Sequence, residues 1–359
     1  MWRDRNISDE CECLLVINAG SSSVKYKLFS LQGLSIVQSG KFQNIGEVGS
    51  DFSDHEAAFL KVIENCKSYP VRAIAHRVVH GGERYISAVE INDEVLEYLY
   101  ELSPFAPLHQ PHNLRAITIC KKLWPTIPQF ADFDTAFHHG HLSVMDTYAL
   151  PHNLRDLGLK KFGFHGLSYQ YLVTKVCSEN LKRKNQKGIY AHLGSGSSLC
   201  AVENGLSIDT TMGLTALDGL PMGTRSGSVD PGLILYLIQS LKIEASEVED
   251  ILYHCSGLLG LSNGKTNDMK ILLEQSDESS QFAVDFYCRK VAQYIAYLTV
   301  SLGGLDYVVF SGGIGENAGQ IRNRILSLLS FLPAFDSIIV PTNEEFSIAS
   351  NVKDLIHDG

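Results

Sequence analysis

Two short Gly- and Ser-rich stretches, Asn18-Ala19-Gly20-Ser21-Ser22-Ser23 and Gly194-Ser195-Gly196-Ser197-Ser198, carry the first chemical signal in this 359-residue chain. Gly lets the backbone come close to a ligand and accepts positive φ, and clustered N–H and hydroxyl groups suit phosphate. One such loop alone reads as an ordinary hairpin turn. Two matched loops, about 175 residues apart, favour phosphate. The standard phosphate motifs do not fit: Gly260-Leu261-Ser262-Asn263-Gly264-Lys265-Thr266 is one residue too short for a Walker A loop. Neither half opens a helix with G-x-G-x-x-G, because Gly194-Ser195-Gly196 runs into a strand-like segment, which argues against a dinucleotide fold.

The elements that must hold these loops are legible in the hydrophobic pattern. Leu14 to Ile17 is a short apolar run, and after the first loop Val24, Tyr26 and Leu28 alternate with Lys25 and Lys27, which predicts strand, loop, strand. The pattern returns with Ile189 to Leu193, the second loop and Leu199 to Val202, so the chain holds two related halves. Helices are expected over 51–66, 94–102, 233–241 and 281–302, and strands over 73–79, 129–133 and 307–310. The last strand runs into Ser311-Gly312-Gly313-Ile314-Gly315-Glu316-Asn317, with a helix from about Gln320. Alternating helices and strands place the chain in the α/β class. A boundary is expected near Tyr148 to His152.

Length and a 45% hydrophobic content give two domains with a core each. The net charge of −10 argues against nucleic-acid and anionic-membrane partners, which bind through clustered Lys and Arg. The charged start MWRDRNISDECEC and the lack of any apolar run of about 18 residues set the expectation of a cytoplasmic protein. Eight cysteines include no C-x-x-C, and Cys11 and Cys13 have no zinc spacing, so reduced thiols are expected. Thirteen histidines form no H-E-x-x-H motif.

LLVINAGSSSVKYKLF, AHRVVHGGERY, APLHQPHNL, FDTAF, KFGFHGLS, HLGSGSS, MGTRSG and VFSGGIGEN stand in this order. Together they resemble the acetate kinase family from about Leu14 to Ile348, essentially the whole chain. The resemblance implies the superfamily of acetate and sugar kinases, heat-shock chaperone ATPases and actin: an actin-like ATPase fold of two ribonuclease H-like domains with a central interdomain cleft. It implies an N-terminal domain of residues 1–148 plus 346–359 and a C-terminal domain of 149–345 that binds nucleotide and forms a homodimer. The implied reaction is reversible transfer of the ATP γ-phosphoryl group to a short carboxylate, with ATP/ADP and Mg²⁺, or Mn²⁺, as cofactors. Such transfer asks for positioning, cations and a metal more than covalent work by the protein.

Carried over position by position, the resemblance makes Arg77 and Arg225 the substrate and transition-state arginines, which a guanidinium can serve by gripping carboxylate or phosphate bidentately. The two are expected to converge from opposite halves on the exchanged oxygens. Asp134, at a strand end, is the catalytic aspartate, orienting substrate or organising Mg²⁺ through water. His165 is the histidine that stabilises the transferring phosphoryl group, although taken alone it reads as a core histidine. Asn18 and Glu344 are placed near the metal, and Thr342-Asn343-Glu344-Glu345 also reads as a capping box with Glu345 in the box position. Lys25, His192, Gly194, Ser195, Gly196, Gly313, Ile314, Gly315, Glu316 and Asn317 are expected on the nucleotide. Asp268, Met269 and Lys270, after Asn267, are expected on the adenosine, although N-D-M-K by itself is only a helix cap. His109 supports the site, and Val79, Leu108, Phe164 and Ala216 form an apolar cup for the acyl tail.

The chain departs from the family pattern at Ser195, usually Asn, at Tyr169, usually His, and at Ala216, usually Pro, and the segment between Ile325 and Pro341 is short. Ala216 makes the expected cup roomier and brings propionate in as a second substrate, since one methylene is worth only about 1–3 kcal/mol. Acetate kinase, another short-chain acyl kinase and a nucleotide-binding regulator without turnover are the functions in contention.

Overall fold

The computed structural model describes residues 12–46 and 50–357; Cys11 lies outside the described residues. Two compact units are present: Met1–Phe137 with Asn343–Gly359, and His138–Thr342. The first break thus falls after Phe137, ahead of the Tyr148 to His152 stretch.

Unit 1 is built on a six-stranded sheet of β1 (Cys13–Ala19), β2 (Val24–Ser30), β3 (Ile36–Phe42), β4 (Val71–Val78), β5 (Val89–Glu90) and β6 (Gln129–Phe133), in the order β3-β2-β1-β4-β6-β5. β1, β2 and β3 form an antiparallel meander, whereas β4 and β6 add to β1 in parallel. Leu14, Leu15 and Val16 on β1 and Ala73, Ile74 and Ala75 on β4 are all buried. Such continuous apolar runs are what a strand covered on both faces requires. The helices His55–Cys66 and Gln110–Leu123 pack against β2 and β1, and the C-terminal helix Glu344–His357 packs against β1 and β4. Ile348 and Val352, one turn apart, are fully buried.

Unit 2 repeats the plan. Its sheet of β7 (Gly188–Leu193), β8 (Ser197–Glu203), β9 (Leu206–Thr210), β10 (Tyr307–Ser311) and β11 (Asp336–Ile339) has the order β11-β10-β7-β8-β9. A meander again carries two parallel strands beyond its first member. Both Gly/Ser loops are therefore hairpin turns leaving the central strand of their sheet. The helix Glu278–Leu302 is capped by Asp277, whose side chain accepts from Ser280 N–H, and ends at Gly303 in the left-handed region, φ 64°. Its apolar positions Val284, Tyr287, Cys288, Val291, Ile295 and Leu298 are buried.

Two readings of the sequence need correction. Ser311 ends β10, and Gly312–Asn317 is already a short helix, followed by the helix Gly319–Leu328, because Gly312 takes φ 77° and turns the chain at once. The capping box at Thr342 to Glu345 does not form. Thr342 N–H donates to Glu316 at 3.1 Å, and the fully buried Glu345 carboxylate is paired with Lys25 and Lys27 at 2.9 and 3.0 Å. A box glutamate needs an otherwise unclaimed carboxylate.

Candidate active site

In unit 1 the centre of the site is Arg77, at the end of β4. Asp134 follows β6 directly, and the parallel pairing of Val78 with Phe133 sets the two side chains side by side. Arg77 Nη2 donates to Asp134 Oδ2 at 2.6 Å, and Nε donates at 3.1 and 3.2 Å to the two carboxylate oxygens. Nη1 faces Glu344 Oε2 and Asn18 Oδ1, each at 3.4 Å, and Asn18 Nδ2 donates to Glu344 at 3.3 Å. Asp134 is 1% exposed, Glu344 12% and Arg77 15%. Burial works against the Arg77 charge, but Asp134, Glu344 and Glu345 overcome it and raise its pKa. Burial pushes the Asp134 carboxyl up to about 6, with Arg77 opposing, so the pair is ionised at neutral pH. Asp134 thus fixes the guanidinium bidentately.

Lys25 belongs to this unit's supports. Its ammonium and that of Lys27 hold Glu345 below the ordinary carboxylate pKa despite burial. The Asn18 end of β1 is held by the buried Asn113, which donates to Ala19 carbonyl at 2.7 Å and accepts from Val79 N–H at 3.1 Å. Val79 is buried, Leu108 is half-buried, and His109 stands at the N-terminal cap of the Gln110–Leu123 helix. His76 and His80, flanking Arg77, are pushed down to about 4 by burial, and their neutral rings are packing groups.

In unit 2, His165 sits at φ 59° at the start of the helix Gly166–Glu179. That left-handed conformation is costly for a non-Gly residue and is held by its surroundings. His138 Nε2–H donates to the preceding Phe164 carbonyl at 3.0 Å, and Phe164 itself is buried. The His165 and His192 rings stack with centroids 4.3 Å apart, and His192 Nδ1 lies 2.9 Å from Ser168 Oγ. A Cβ placed on Gly196 would lie 2.9 Å from Arg225 Nη2 and 3.3 Å from His165 Nε2. His165, Arg225 and the Gly196 backbone therefore surround one point. Arg225 Nη1 donates to the Ala216 carbonyl at 2.7 Å, so Ala216 meets this group through its backbone.

Beside them is a cavity of about 730 Å³, within the range of small-molecule sites, lined by Gly194, Ser195, Asn267, Asp268, Met269, Lys270, Leu273, Gly313, Ile314, Asn317 and Ala318. Asp268 does cap its helix, accepting from Lys270 N–H at 2.8 Å, and it lines the cavity as well. A Cβ on Gly313 would meet nothing within 4 Å, whereas one on Gly315 would press on Phe310, Leu193 and Ala191. Gly315 serves close packing against the sheet, and Gly313 borders open space. Glu316 turns back: its Oε1 accepts from Gly312 and Thr342 N–H groups at 2.9 and 3.1 Å. Glu316, Gly315, Gly196 and His192 do not line this cavity.

The model of the acetokinase family matches residues 13–336. An acetate kinase of Methylocella silvestris is 39% identical over 353 residues, covering 89% of this chain and 87% of that protein. The chain belongs to the acetokinase family. Among solved structures, a propionate kinase from Francisella tularensis superposes with a TM-score of 0.88 at 34% identity, covering 95% of this chain and 98% of that one. The acetate kinase of Porphyromonas gingivalis gives 0.84 at 32%, covering 96% and 100%. The family member described here is thus a kinase with the two-domain actin-like ATPase fold, and the family implies ATP/ADP, a carboxylate and a divalent metal. No helix among the described residues is long and apolar enough to cross a membrane.

Among the described residues no three His, Cys, Asp or Glu side chains gather as a metal cage. Asn18 and Glu344 offer hard oxygen atoms in a net acidic cluster, which fits a cation that keeps most of its shell as water and phosphate oxygen. Sequence reasoning missed Leu273 and Ala318 as lining residues. Leu273 follows Met269 by one helical turn, a spacing that could have found it. Asn113 could have been noticed as a polar residue on the apolar face of its helix, but its partners Ala19 and Val79 could not.

Proposed function

We propose that this protein catalyses the reversible, Mg²⁺-dependent transfer of the ATP γ-phosphoryl group to acetate, giving acetyl phosphate and ADP by direct in-line transfer. The observation that carries the reading is the unit 2 cavity. Gly194, Ser195, Asp268, Met269, Lys270, Gly313, Ile314 and Asn317, which come from three distant stretches of sequence, share one space of nucleotide size. ATP lies there with its adenosine against Asp268 to Lys270 and its phosphates toward Gly194 to Gly196 and Gly313.

Arg77, oriented by Asp134, grips the acid in unit 1, with Val79, Leu108 and His109 as that unit's residues for its short tail, and Phe164 and Ala216 are the residues of unit 2 assigned to the same tail. Arg225 and the Nε2 of His165 face the transferring group, where positive charge and hydrogen bonds stabilise the spread charge on its oxygens. Asn18 and Glu344 hold the divalent cation, Mg²⁺ or Mn²⁺, which neutralises phosphate charge when bound. His192 keeps the His165 ring in plane by stacking.

Incubation with ATP, Mg²⁺ and acetate, with hydroxylamine as trap, is expected to give acetyl hydroxamate, and propionate is expected to serve as a second substrate. Bound ATP without any hydroxamate from either acid would replace this reading with that of a nucleotide-binding regulator. We also propose a homodimer through unit 2. The helix Pro231–Gln239 buries none of its residues, and Leu233, Leu235 and Tyr236 are 43–54% exposed. Light scattering at the monomer mass would reject it.

A further inference from the structure

His165 is useful to a phosphoryl group only if the ring nitrogen facing it carries a proton. A neutral imidazole has one N–H, and which nitrogen bears it is set by the partner of the other. That partner is Ser198, fully buried on β8, whose Oγ lies 2.8 Å from His165 Nδ1. On its other side Ser198 Oγ is 2.5 Å from the hydroxyl of Tyr169, which is also fully buried. Tyr169 stands one turn along the helix that His165 opens, with its N–H on the His165 carbonyl, and His165 Nδ1 faces the adjacent strand. The three groups form one line, Tyr169, Ser198, His165.

Counting donors decides the direction of that line. The fully buried Tyr169 hydroxyl has one hydrogen-bond acceptor among the described residues, so its hydrogen has one place to go. Ser198 Oγ is the acceptor within reach, and burial holds the phenol in its protonated form. With Tyr169 donating to Ser198, the serine hydrogen has one destination among its partners, His165 Nδ1. The reverse arrangement, with Nδ1–H donating to Ser198, would strand a buried hydroxyl hydrogen, which is unfavourable. The Nδ1 atom is therefore bare, and the proton rests on Nε2, the atom directed to the point shared with Arg225 and Gly196.

We propose that Ser198, locked by the Tyr169 hydroxyl, is a positioning residue that fixes His165 as the Nε2–H tautomer, so that a hydrogen-bond donor faces the transferring phosphoryl group. Its role in transfer rests on the acyl-kinase reading above; the tautomer does not. Tyr169 is one of the positions where this chain departs from the family pattern.

The test is ¹⁵N NMR of the full chain with labelled histidine, the His165 signal being assigned by its loss in His165→Asn. The expected result is a protonated Nε2 and a bare Nδ1 in the wild type. Ser198→Ala is expected to mix the tautomers and lower kcat about 10-fold with KM for ATP changed less than about twofold, the low end of what outer partners of a functional histidine contribute. Tyr169→Phe, which removes one oxygen and keeps the ring, is expected to move both readouts the same way by a smaller amount. A wild-type His165 with its proton mainly on Nδ1 overturns the proposal, as do variants that leave tautomer and kcat unchanged. Absence of acyl-kinase turnover would instead overturn the function, leaving the NMR result standing.

Discussion

The two arginines are held in opposite ways. Arg77 in unit 1 is clamped between carboxylates: Asp134 takes Nε and Nη2, and Glu344 lies 3.4 Å from Nη1. Arg225 in unit 2 is steered through a neutral group, the Ala216 carbonyl, from a loop that Gly257 packs against, where a Cβ would come within 2.2 Å of the Met222 carbonyl. A charge held by buried charges is a structural element as well as a functional one, because removing it leaves partners unpaired. Removing a charge from beside a carbonyl leaves no opposite charge unpaired at that contact. Unit 1 thus couples site and stability more tightly than unit 2 does.

Arg77→Ala is the harshest way to probe this contrast. Its expected effect is a loss of kcat of about 10³-fold or more together with about 3–5 kcal/mol of stability, since Asp134 is left buried and unpaired. Denaturant melts alongside the hydroxamate assay measure both, and an unchanged midpoint would erase the contrast. Arg225→Ala is expected to reduce kcat to a similar degree, about 10³-fold, with a smaller loss of stability than Arg77→Ala, because the contact it removes at Ala216 is to a neutral carbonyl and not to a buried carboxylate.

The smallest effect sharpens the contrast through pH. Burial pushes Asp132, on β6 in unit 1, up to about 7, with Asn351 at 2.8 Å and the Phe133 N–H opposing. Its folded pKa lies above the unfolded value of 3.8. Its contribution to stability is therefore fully present below about pH 4 and is lost as pH rises to about 7. Asp134, raised to about 6, acts in the same direction. Relative to Asp132→Asn, the wild type is expected to lose about 1–3 kcal/mol between pH 4 and pH 8. Parallel pH profiles for the two proteins would remove Asp132 as the cause.

Much of this was open to reading in the chain itself. The strand, loop, strand pattern at Leu14 to Leu28 and its return at Ile189 to Val202 became the central hairpins of both sheets, because short apolar runs on either side of a Gly/Ser turn are buried by pairing with each other in the middle of a covered sheet. Gly313 was legible as a residue beside a ligand and Gly315 was not separable from it, since both are glycines in one motif and only the strand behind Gly315 tells them apart. Glu316 and Lys25 carry charge at motif positions, and sequence offers no sign that one turns back onto Gly312 and Thr342 or that the other pairs with Glu345.

What the sequence determined by itself, then, were the local things: strands, helices, two duplicated loops and the residue types able to bind phosphate and carboxylate. Tertiary structure alone decided which of those side chains meet. Arg77 and Asp134 are 57 residues apart, and Ser198 and Tyr169 are 29 apart. Parallel strand pairing and a helix laid beside a strand bring them together, and neither register is written in the spacing of the residues concerned. The hydrogen on His165 is decided later still, by the count of donors and acceptors that this packing leaves around Ser198.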